Sequence, residues 1–375
     1  MVVLEQPRRD SGGLEREALI KEARRRQRRR RGSIALAFAL VAGGVAAAAS
    51  GGGNAGRTIR RPVTRPASGG AGRFLARVLA PAIRVPAGVA GLAVGDGAVW
   101  VAGFGTVSRL DPSTARIIAT HRAPGTGPDS QVAVGEGGVW VTGGFSRHST
   151  VYRIDPTTNR VLARIHLEAF GLTVGGGRVW VTVIPEAGPG ELVQIDPRTN
   201  RVVGRALKVG PGPNTLLYGD HAVWVEDTSP SSVLRVDPAN GHVATLIGLQ
   251  SNGFSGGSIG FGFGSVWAAS GDSLTRFDPN TLRAIATMAI PRPAEIAFGI
   301  GEVWVLARPR SSSPTLFYPV KGTARLWTAN PRTNKIVGDA VPLNTLEPIA
   351  LAAGNRVMWI GDYAAGSVTR VRVVK

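Results

Sequence analysis

The chain has 375 residues, 43% hydrophobic and 18% charged, so it can bury a large core and is not intrinsically disordered. It contains no cysteine, which excludes disulfides, thiolate metal sites, a thiol nucleophile and lipid attachment through cysteine. The net charge is +19, but 17 Lys/Arg and 5 Asp/Glu lie before position 78, which leaves 27 against 20 for the remainder. Because the basic charge is concentrated at the N-terminus, and no phosphate-cradling loop or zinc-ligand spacing occurs, we expect no nucleic-acid partner.

The first fifty residues have the pattern of a membrane-targeting segment. Good helix formers from Leu14 end in an arginine run at Arg31, and the alanine-rich apolar stretch Ser33–Ser50 follows directly. This order predicts a basic cytoplasmic helix within 1–32 and a single transmembrane segment at 33–50. The stretch is slightly shorter than the roughly 20 residues that a spanning helix needs. Ala47–Ala49 also offers a signal-peptidase site, so a cleaved signal stays open beside the favoured anchor.

Residues 51–73 are rich in Gly, Pro and Arg and contain no acid. Such a composition predicts a flexible linker with no fold of its own. A linker this basic is expected to lie close to an anionic membrane surface or an acidic wall polymer.

From residue 74 onward the chain repeats a unit of about 42 residues. Each unit carries Val-Trp-Val or a close variant, with a glycine five residues before the tryptophan. The seven tryptophans are Trp100, Trp140, Trp180, Trp224, Trp267, Trp304 and Trp359, and the seven glycines are Gly95, Gly135, Gly175, Gly219, Gly262, Gly299 and Gly354. We expect these tryptophans to pack between repeats. Trp327 falls outside the series and is expected to pack on an outer strand of the sixth unit.

Each unit is predicted to contain four strands, here called a, b, c and d. In the third unit these are Leu172–Gly175, Arg178–Val183, Leu192–Asp196 and Arg201–Lys208. An Asp-Pro or Asn-Pro turn separates strands c and d, and we expect its acidic residue to cap the turn rather than bind a metal. These turns begin at Asp111, Asp155, Asp196, Asp237, Asp278 and Asn330.

Seven sets of four short strands predict an all-β, seven-bladed β-propeller over 74–375. The last unit ends after strand c, at Ser367–Val374, whereas an unassigned d-like strand, Ala76–Val85, precedes the first unit. We expect that N-terminal strand to complete the seventh blade and so close the ring, which removes free strand edges. The propeller is expected to be monomeric.

The segment Gly190–Trp224 resembles a repeat of the YVTN family of bacterial propellers, in which an Asp, a Thr-Asn pair, a hydrophobic d strand and a Gly-Pro precede the next blade. The resemblance covers about 300 residues and implies architecture more than activity. The virginiamycin B lyases resemble the same pattern, which implies histidine and glutamate in the central channel with a bound magnesium. The histidines of this chain, however, lie at unequal places in their repeats: His121, His148, His166, His221 and His242.

The two ends of the predicted ring differ. The a–b and c–d turns, here called the regular face, are short and repetitive, whereas the b–c and d–a loops, here called the variable face, vary in length and composition. Variable loops on a rigid scaffold usually carry binding. The longest is Leu306–Ala324, which contains Phe317 and Tyr318 and is interpreted as either a partner-binding arm or a plain insertion.

Polar residues before the a strands are expected near the channel mouth on the variable face. They are Asp129, Glu168, Asn214, Glu295 and Glu347. Oxygen ligands gathered there could hold a divalent cation, although a plain solvated rim is the favoured interpretation. The other acids assigned to this face, which is expected to be acidic relative to the rest, are Glu186, Glu191, Glu226, Asp227, Asp272 and Asp362. No cofactor is otherwise expected.

Strand d runs from the regular to the variable face, so the linker should join the propeller on the regular face, which would look toward the membrane. A structure with Ala76 on the same face as Leu306–Ala324 would contradict this.

The sequence favours a non-catalytic binding or scaffolding module of the cell envelope, anchored by one helix and facing away from the cytoplasm. Its expected partner is a protein or an envelope polymer. The alternative is a lyase-like enzyme with a metal at the channel mouth.

Overall fold

The computed structural model describes residues 75–143, 149–185, 188–228, 231–248, 258–308 and 324–374. The predicted basic helix, transmembrane segment and linker lie outside these residues, as do His148, Glu186, Phe317 and Tyr318. Within the described ranges, no helix is long and apolar enough to cross a membrane.

The described chain forms seven antiparallel sheets, which are the blades of a propeller. The first strand is β1 (Leu75–Arg84). Blade 1 contains β2 (Gly91–Gly95), β3 (Ala98–Ala102), β4 (Thr106–Leu110) and β5 (Ile117–Arg122). Blade 2 contains β6 (Val132–Gly135), β7 (Gly138–Val141), β8 (Thr150–Ile154) and β9 (Val161–His166). Blade 3 contains β10 (Ala169–Gly175), β11 (Arg178–Val183), β12 (Glu191–Asp196) and β13 (Arg201–Lys208).

The remaining blades follow the same order. Blade 4 contains β14 (Pro213–Gly219), β15 (Ala222–Thr228), β16 (Ser231–Val236) and β17 (Val243–Gly248). Blade 5 contains β18 (Ser258–Gly262), β19 (Ser265–Ser270), β20 (Ser273–Phe277) and β21 (Ala284–Ala289). Blade 6 contains β22 (Pro293–Gly299), β23 (Glu302–Ala307), β24 (Arg325–Asn330), β25 (Lys335–Ile336) and β26 (Val341–Pro342). Blade 7 contains β27 (Pro348–Ala353), β28 (Val357–Asp362) and β29 (Ser367–Val374).

The N-terminal strand completes blade 7, as the sequence predicts. Strand β1 pairs antiparallel with β29, with Leu75 opposite Val374 and Arg84 opposite Ser367. Because β29 ends at the regular face, β1 begins there, whereas Ala307 and Ala324 flank a b–c loop on the variable face. The predicted separation of Ala76 from the longest loop is confirmed.

The seven repeated tryptophans are all buried between blades, with at most 1% of each exposed. The glycine five residues earlier explains the fixed spacing, because its carbonyl oxygen accepts the indole N–H. The Nε1–O distances run from 2.9 Å for Trp304 to 3.2 Å for Trp140 in the five blades where this bond forms. The glycine also leaves room for the next blade. A Cβ built on Gly219 would lie 2.2 Å from the Phe261 ring.

The Asp-Pro residues cap their turns, as expected. Asp155 Oδ1, for example, accepts the backbone N–H groups of Thr157 at 2.7 Å and Thr158 at 3.0 Å. These bonds favour the ionised form, so the pKa of Asp155 is lowered. The pKa of Asp111 falls to about 2, mainly through the Ser113 hydroxyl.

A second repeated contact joins neighbouring blades at the regular face. An arginine on strand c lies over the tryptophan of its own blade and donates to the asparagine that ends the next blade's Asp-Pro turn. Arg109 lies 5.4 Å from the Trp100 ring centre and donates to Asn159 Oδ1 at 2.8 Å. The same Arg–Asn clamp joins blades 2 and 3 through Arg153 at 2.9 Å, and blades 5 and 6 through Arg276 at 3.0 Å.

Blade 6 departs from the predicted pattern. Its outer strand is broken into β25 and β26, and Asp339 lies in the gap between them. Gly338, with a φ of +63°, turns the backbone there. Trp327 does pack against the hydrophobic cluster of this blade, but it stands on the third strand, opposite Val305, rather than on the outer one.

Candidate functional site

A group of polar side chains from blades 4, 5 and 6 lies where the innermost strands reach the variable face. Its members are Asn214, Thr215, Glu226, Ser258, Glu295 and Arg308. This group is called the channel cluster below. It is built from the first residues of the a strands and the last residues of the b strands, which adjoin in each hairpin.

Glu226 is the buried acid of the channel cluster, with 1% of the residue exposed. Asn214 Nδ2 donates to Glu226 Oε2 at 3.1 Å, and the Thr215 hydroxyl and backbone N–H also bond to this carboxylate. Burial nevertheless dominates and raises the pKa of Glu226 to about 7, and the negative charge of Glu295 adds to the rise. Glu226 can therefore gain or lose a proton near neutral pH.

Glu295 is the second carboxylate, on the innermost strand of blade 6. Arg308 Nη2 donates to Glu295 Oε1 at 2.9 Å, and the Ser258 hydroxyl of blade 5 bonds to the same carboxylate. Glu295 keeps 27% of its side chain exposed and Arg308 keeps 39%, so solvent reaches this pair. Desolvation raises the pKa of Glu295 to about 6, although Arg308 acts in the opposite direction.

The structure brings two of the residues expected at the channel mouth, Asn214 and Glu295, close to Glu226. Asn214 donates a hydrogen bond to Glu226, and the charge of Glu295 acts on it. Glu168 is exposed before β10 and forms no hydrogen bond or ion pair with a described residue. Asp129 and Glu347 are half-buried in d–a loops. The expectation that these residues bind a partner is still a prediction.

Three of the acids assigned to the variable face are buried, each at most 2% exposed: Glu226, Asp227 and Asp362. Asp362 accepts backbone N–H groups from Leu346 at 2.7 Å and Glu347 at 2.9 Å. Asp227 similarly accepts the Gly212 N–H at 3.0 Å. These two aspartates hold the d–a loops in place because buried backbone donors need acceptors.

Sequence reasoning did not single out Glu226, although its position carried a signal. It stands two residues after Trp224, where blades 2 and 3 have Thr142 and Thr182. Those threonine hydroxyls accept backbone N–H groups at the start of their own a strands, at 3.0 and 2.7 Å. The other four blades have Ala102, Ala269, Leu306 and Gly361 at this position, so Glu226 is the one charged residue in the series.

An aromatic pair lies on the same face, in the b–c loops of blades 1 and 7. The ring centres of Phe104 and Tyr363 are 5.8 Å apart, with planes inclined by 55°. Both residues are half-buried, so part of each ring faces solvent. Partly exposed aromatic rings are common in protein contact surfaces.

The arrangement does not fit the magnesium centre that the lyase resemblance implies. Among the described residues, no three His, Asp or Glu side chains approach closely enough to hold a metal ion. The channel cluster has two carboxylates, one of them paired with Arg308. His121 and His166 lie on outer strands, and His221 lies in an a–b turn. Burial lowers the pKa of His121.

No protein-family model matches the chain, and no curated protein matches it. Solved structures do match. The WD40 domain of Neurospora crassa Pan2 is 10% identical with a TM-score of 0.60, and the match covers 77% of this chain and 90% of that one. RRP9 WD40 repeats are 12% identical with a TM-score of 0.60, over 80% and 97%. BamB from Moraxella catarrhalis is 16% identical with a TM-score of 0.53, over 80% and 100%. Such low identities show the fold alone, which is that of a β-propeller, here with seven blades.

Proposed function

We propose that this chain is a membrane-anchored, non-catalytic binding or scaffolding propeller of the cell envelope, with its variable face outside the cytoplasm. The proposal places it among propellers that resemble the YVTN family. The partner would be a protein or an envelope polymer, held by the variable face.

The observation that carries the proposal is the difference between the two faces. On the regular face, the a–b turn has two residues in each of blades 1 to 6. Each c–d turn there is capped by the Asp or Asn residue that begins it. On the variable face, the b–c loops range from two residues between β19 and β20 to 17 between β23 and β24. The variable face also carries the channel cluster and the Phe104–Tyr363 pair. A surface whose loops differ between otherwise equal repeats is suited to specific recognition.

Photocrosslinking in intact membranes tests which face binds. A photoreactive phenylalanine analogue would replace Tyr363 on the variable face or Phe263, 44% exposed in an a–b turn of the regular face. We expect discrete crosslinked products from position 363 and none from position 263. Equal yields from both positions, or products from position 263 alone, would contradict the proposal.

Membrane orientation can be tested separately, since the chain has no cysteine of its own. A single cysteine at Arg122, exposed on blade 1, should react with an impermeant maleimide on intact cells. A cysteine at Ser11, in the predicted cytoplasmic segment, should react only after permeabilisation. The opposite pattern, or labelling of neither site until lysis, would refute the predicted topology.

The channel cluster favours a second candidate, a lyase-like enzyme. Two carboxyl groups with pKa values of about 7 and 6 in one channel could act as general acid and base. The full-length chain would be incubated with cyclic lactones of the streptogramin type. Turnover that is lost in both Glu226→Gln and Glu295→Gln, with folding unchanged, would support the enzyme over the scaffold.

A further inference from the structure

A groove lies between blades 3 and 4 on the outer rim of the propeller. Its volume is about 490 Å³, and its walls include Gln194, Arg205, Leu207, Lys208, Gly241 and Val243. One wall is the outer strand β13 and the other is the c–d turn of blade 4. The volume is within the range of pockets that hold ligands in proteins.

The Arg–Asn clamp is absent at the junction that holds the groove. Gln194 stands opposite Trp180, where Arg109 stands opposite Trp100 in blade 1. The residue that ends the facing turn is Gly241 rather than asparagine. Glutamine is shorter than arginine and glycine has no side chain, so neither partner fills the space between the blades. A Cβ built on Gly241 would lie 2.9 Å from Leu207 Cδ2, which places this glycine against the opposite wall.

The outer strand is also bulged at the groove. Leu192 pairs with Leu207 and Gln194 pairs with Val203, so three residues of β13 face the single residue Val193. The bulge contains Gly204, with a φ of +70°. Bulges redirect side chains at sheet edges. Here Arg205 stands within the bulge, exposed and in the wall of the groove.

The chemistry of the walls combines positive charge with apolar surface. Arg205 and Lys208 are both exposed, and neither forms an ion pair within the part of the chain that the structure describes. Glu191, the register partner of Lys208, is not among the lining residues. Leu207 and Val243, both half-buried, add apolar area to the walls. Such a surface suits carboxylates that alternate with hydrophobic side chains.

We propose that this groove binds an extended acidic peptide segment of a partner protein, with carboxylates on Arg205 and Lys208 and an apolar side chain against Leu207 and Val243. A polyol phosphate polymer would satisfy the cations, but it has no apolar groups for the remaining wall. The site is distinct from the channel cluster, since it lies on the outer rim, between strand β13 and the c–d turn of blade 4.

Selection from a displayed library of random decapeptides on the full-length chain in detergent tests the proposal. We expect enriched peptides to combine Asp or Glu with Leu, Ile or Phe. Affinities of the enriched peptides, measured by fluorescence anisotropy, should fall at least tenfold in the double variant R205E/K208E. The matched variant R122E, on the outer strand of blade 1, should change them less than twofold. No enrichment, or enrichment without acidic residues, would overturn the proposal.

A second variant separates seating in the groove from simple charge attraction. The double change Q194R/G241N restores the Arg–Asn pair found at three other junctions. It should fold, since asparagine accepts a positive φ and the Leu207 methyl group that the new Cβ would meet is the movable end of a side chain. It adds one positive charge but fills the groove. Peptide affinity should therefore fall at least tenfold, whereas attraction to general positive charge would leave it unchanged or raise it. Polyphosphate that binds as tightly as the selected peptides and is equally sensitive to R205E/K208E would also overturn the assignment to a peptide.

Discussion

The indole N–H of Trp224 and that of Trp100 offer a matched test of the Trp–Gly contact. Both tryptophans are fully buried, and an arginine lies over each ring, at 5.8 and 5.4 Å respectively. Trp224 Nε1 donates to the Gly219 carbonyl oxygen at 3.0 Å, whereas Trp100 Nε1 has no partner among the described residues. Replacing each tryptophan by phenylalanine removes a similar ring volume, but only one change breaks a hydrogen bond.

The expected difference follows from these bonds. Trp224→Phe loses a buried hydrogen bond with a net value of about 1 kcal/mol, and Trp100→Phe regains the desolvation cost of an unpaired donor, which is about 1 kcal/mol or more. Trp224→Phe should therefore be less stable than Trp100→Phe by about 2 kcal/mol. With an m-value of about 3 kcal/mol/M, the midpoints of urea unfolding would differ by about 0.7 M. Unfolding would be followed by far-UV circular dichroism, since tryptophan fluorescence changes with the substitution. Equal midpoints, or a lower midpoint for Trp100→Phe, would refute the role assigned to the glycine carbonyl.

Three further predictions concern ring closure and the ionisable groups. Deletion of residues 1–84 removes β1 and exposes the edge of β29, so it should cause aggregation in light scattering and a lower Tm, whereas deletion of residues 1–70 should do neither. The lowered pKa of Asp111 means that its stabilising charge is complete above about pH 4 and is lost as pH falls through about 2. Thermal unfolding between pH 5 and 2 should thus decline less steeply in Asp111→Asn, and an unchanged slope would count against the cap. Glu226 has a raised pKa, so its ionisation destabilises the fold from pH 4.5 upward, fully so above about 7. Glu226→Gln should therefore be more stable than the parent at pH 8, by up to about 3 kcal/mol, and equally stable near pH 4.5. A Gln variant that is less stable than the parent at pH 8 would show that the fold needs the carboxylate.

The blades were predictable because their signals are local. The predicted strands Arg178–Val183 and Arg201–Lys208 coincide with β11 and β13, since two-residue turns and Asp-Pro caps mark the strand ends directly in the sequence. Ring closure followed from counting strands. The broken outer strand of blade 6 was not visible, because its interruption depends on how Gly338 turns the backbone.

The channel cluster was only partly predictable, for a different reason. Glu226 and Glu295 are separated by the whole of blade 5, and their interaction depends on the curvature of the ring rather than on sequence spacing. Burial of Asp227 and Asp362 likewise depends on the path of the d–a loops, because backbone N–H groups of these loops donate hydrogen bonds to the two carboxylates. Charge along the sequence indicates which face an acid occupies but not whether water reaches it.

The pairing of β1 with β29 also constrains how the chain can fold. Strand β1 can pair only after β29 has been synthesised, and all of blades 1 to 6 lie between the two strands in the chain. Contacts between such distant segments form slowly, because the loop must close before the pairing is gained. Blades 1 to 6 can each assemble from neighbouring sequence, but the edges of the incomplete ring stay open until Ser367–Val374 has emerged. The pairing of β1 with β29 is therefore expected to be the slow step of folding. Chaperone binding during synthesis should be strongest at these two strands, whose edges are unpaired until then.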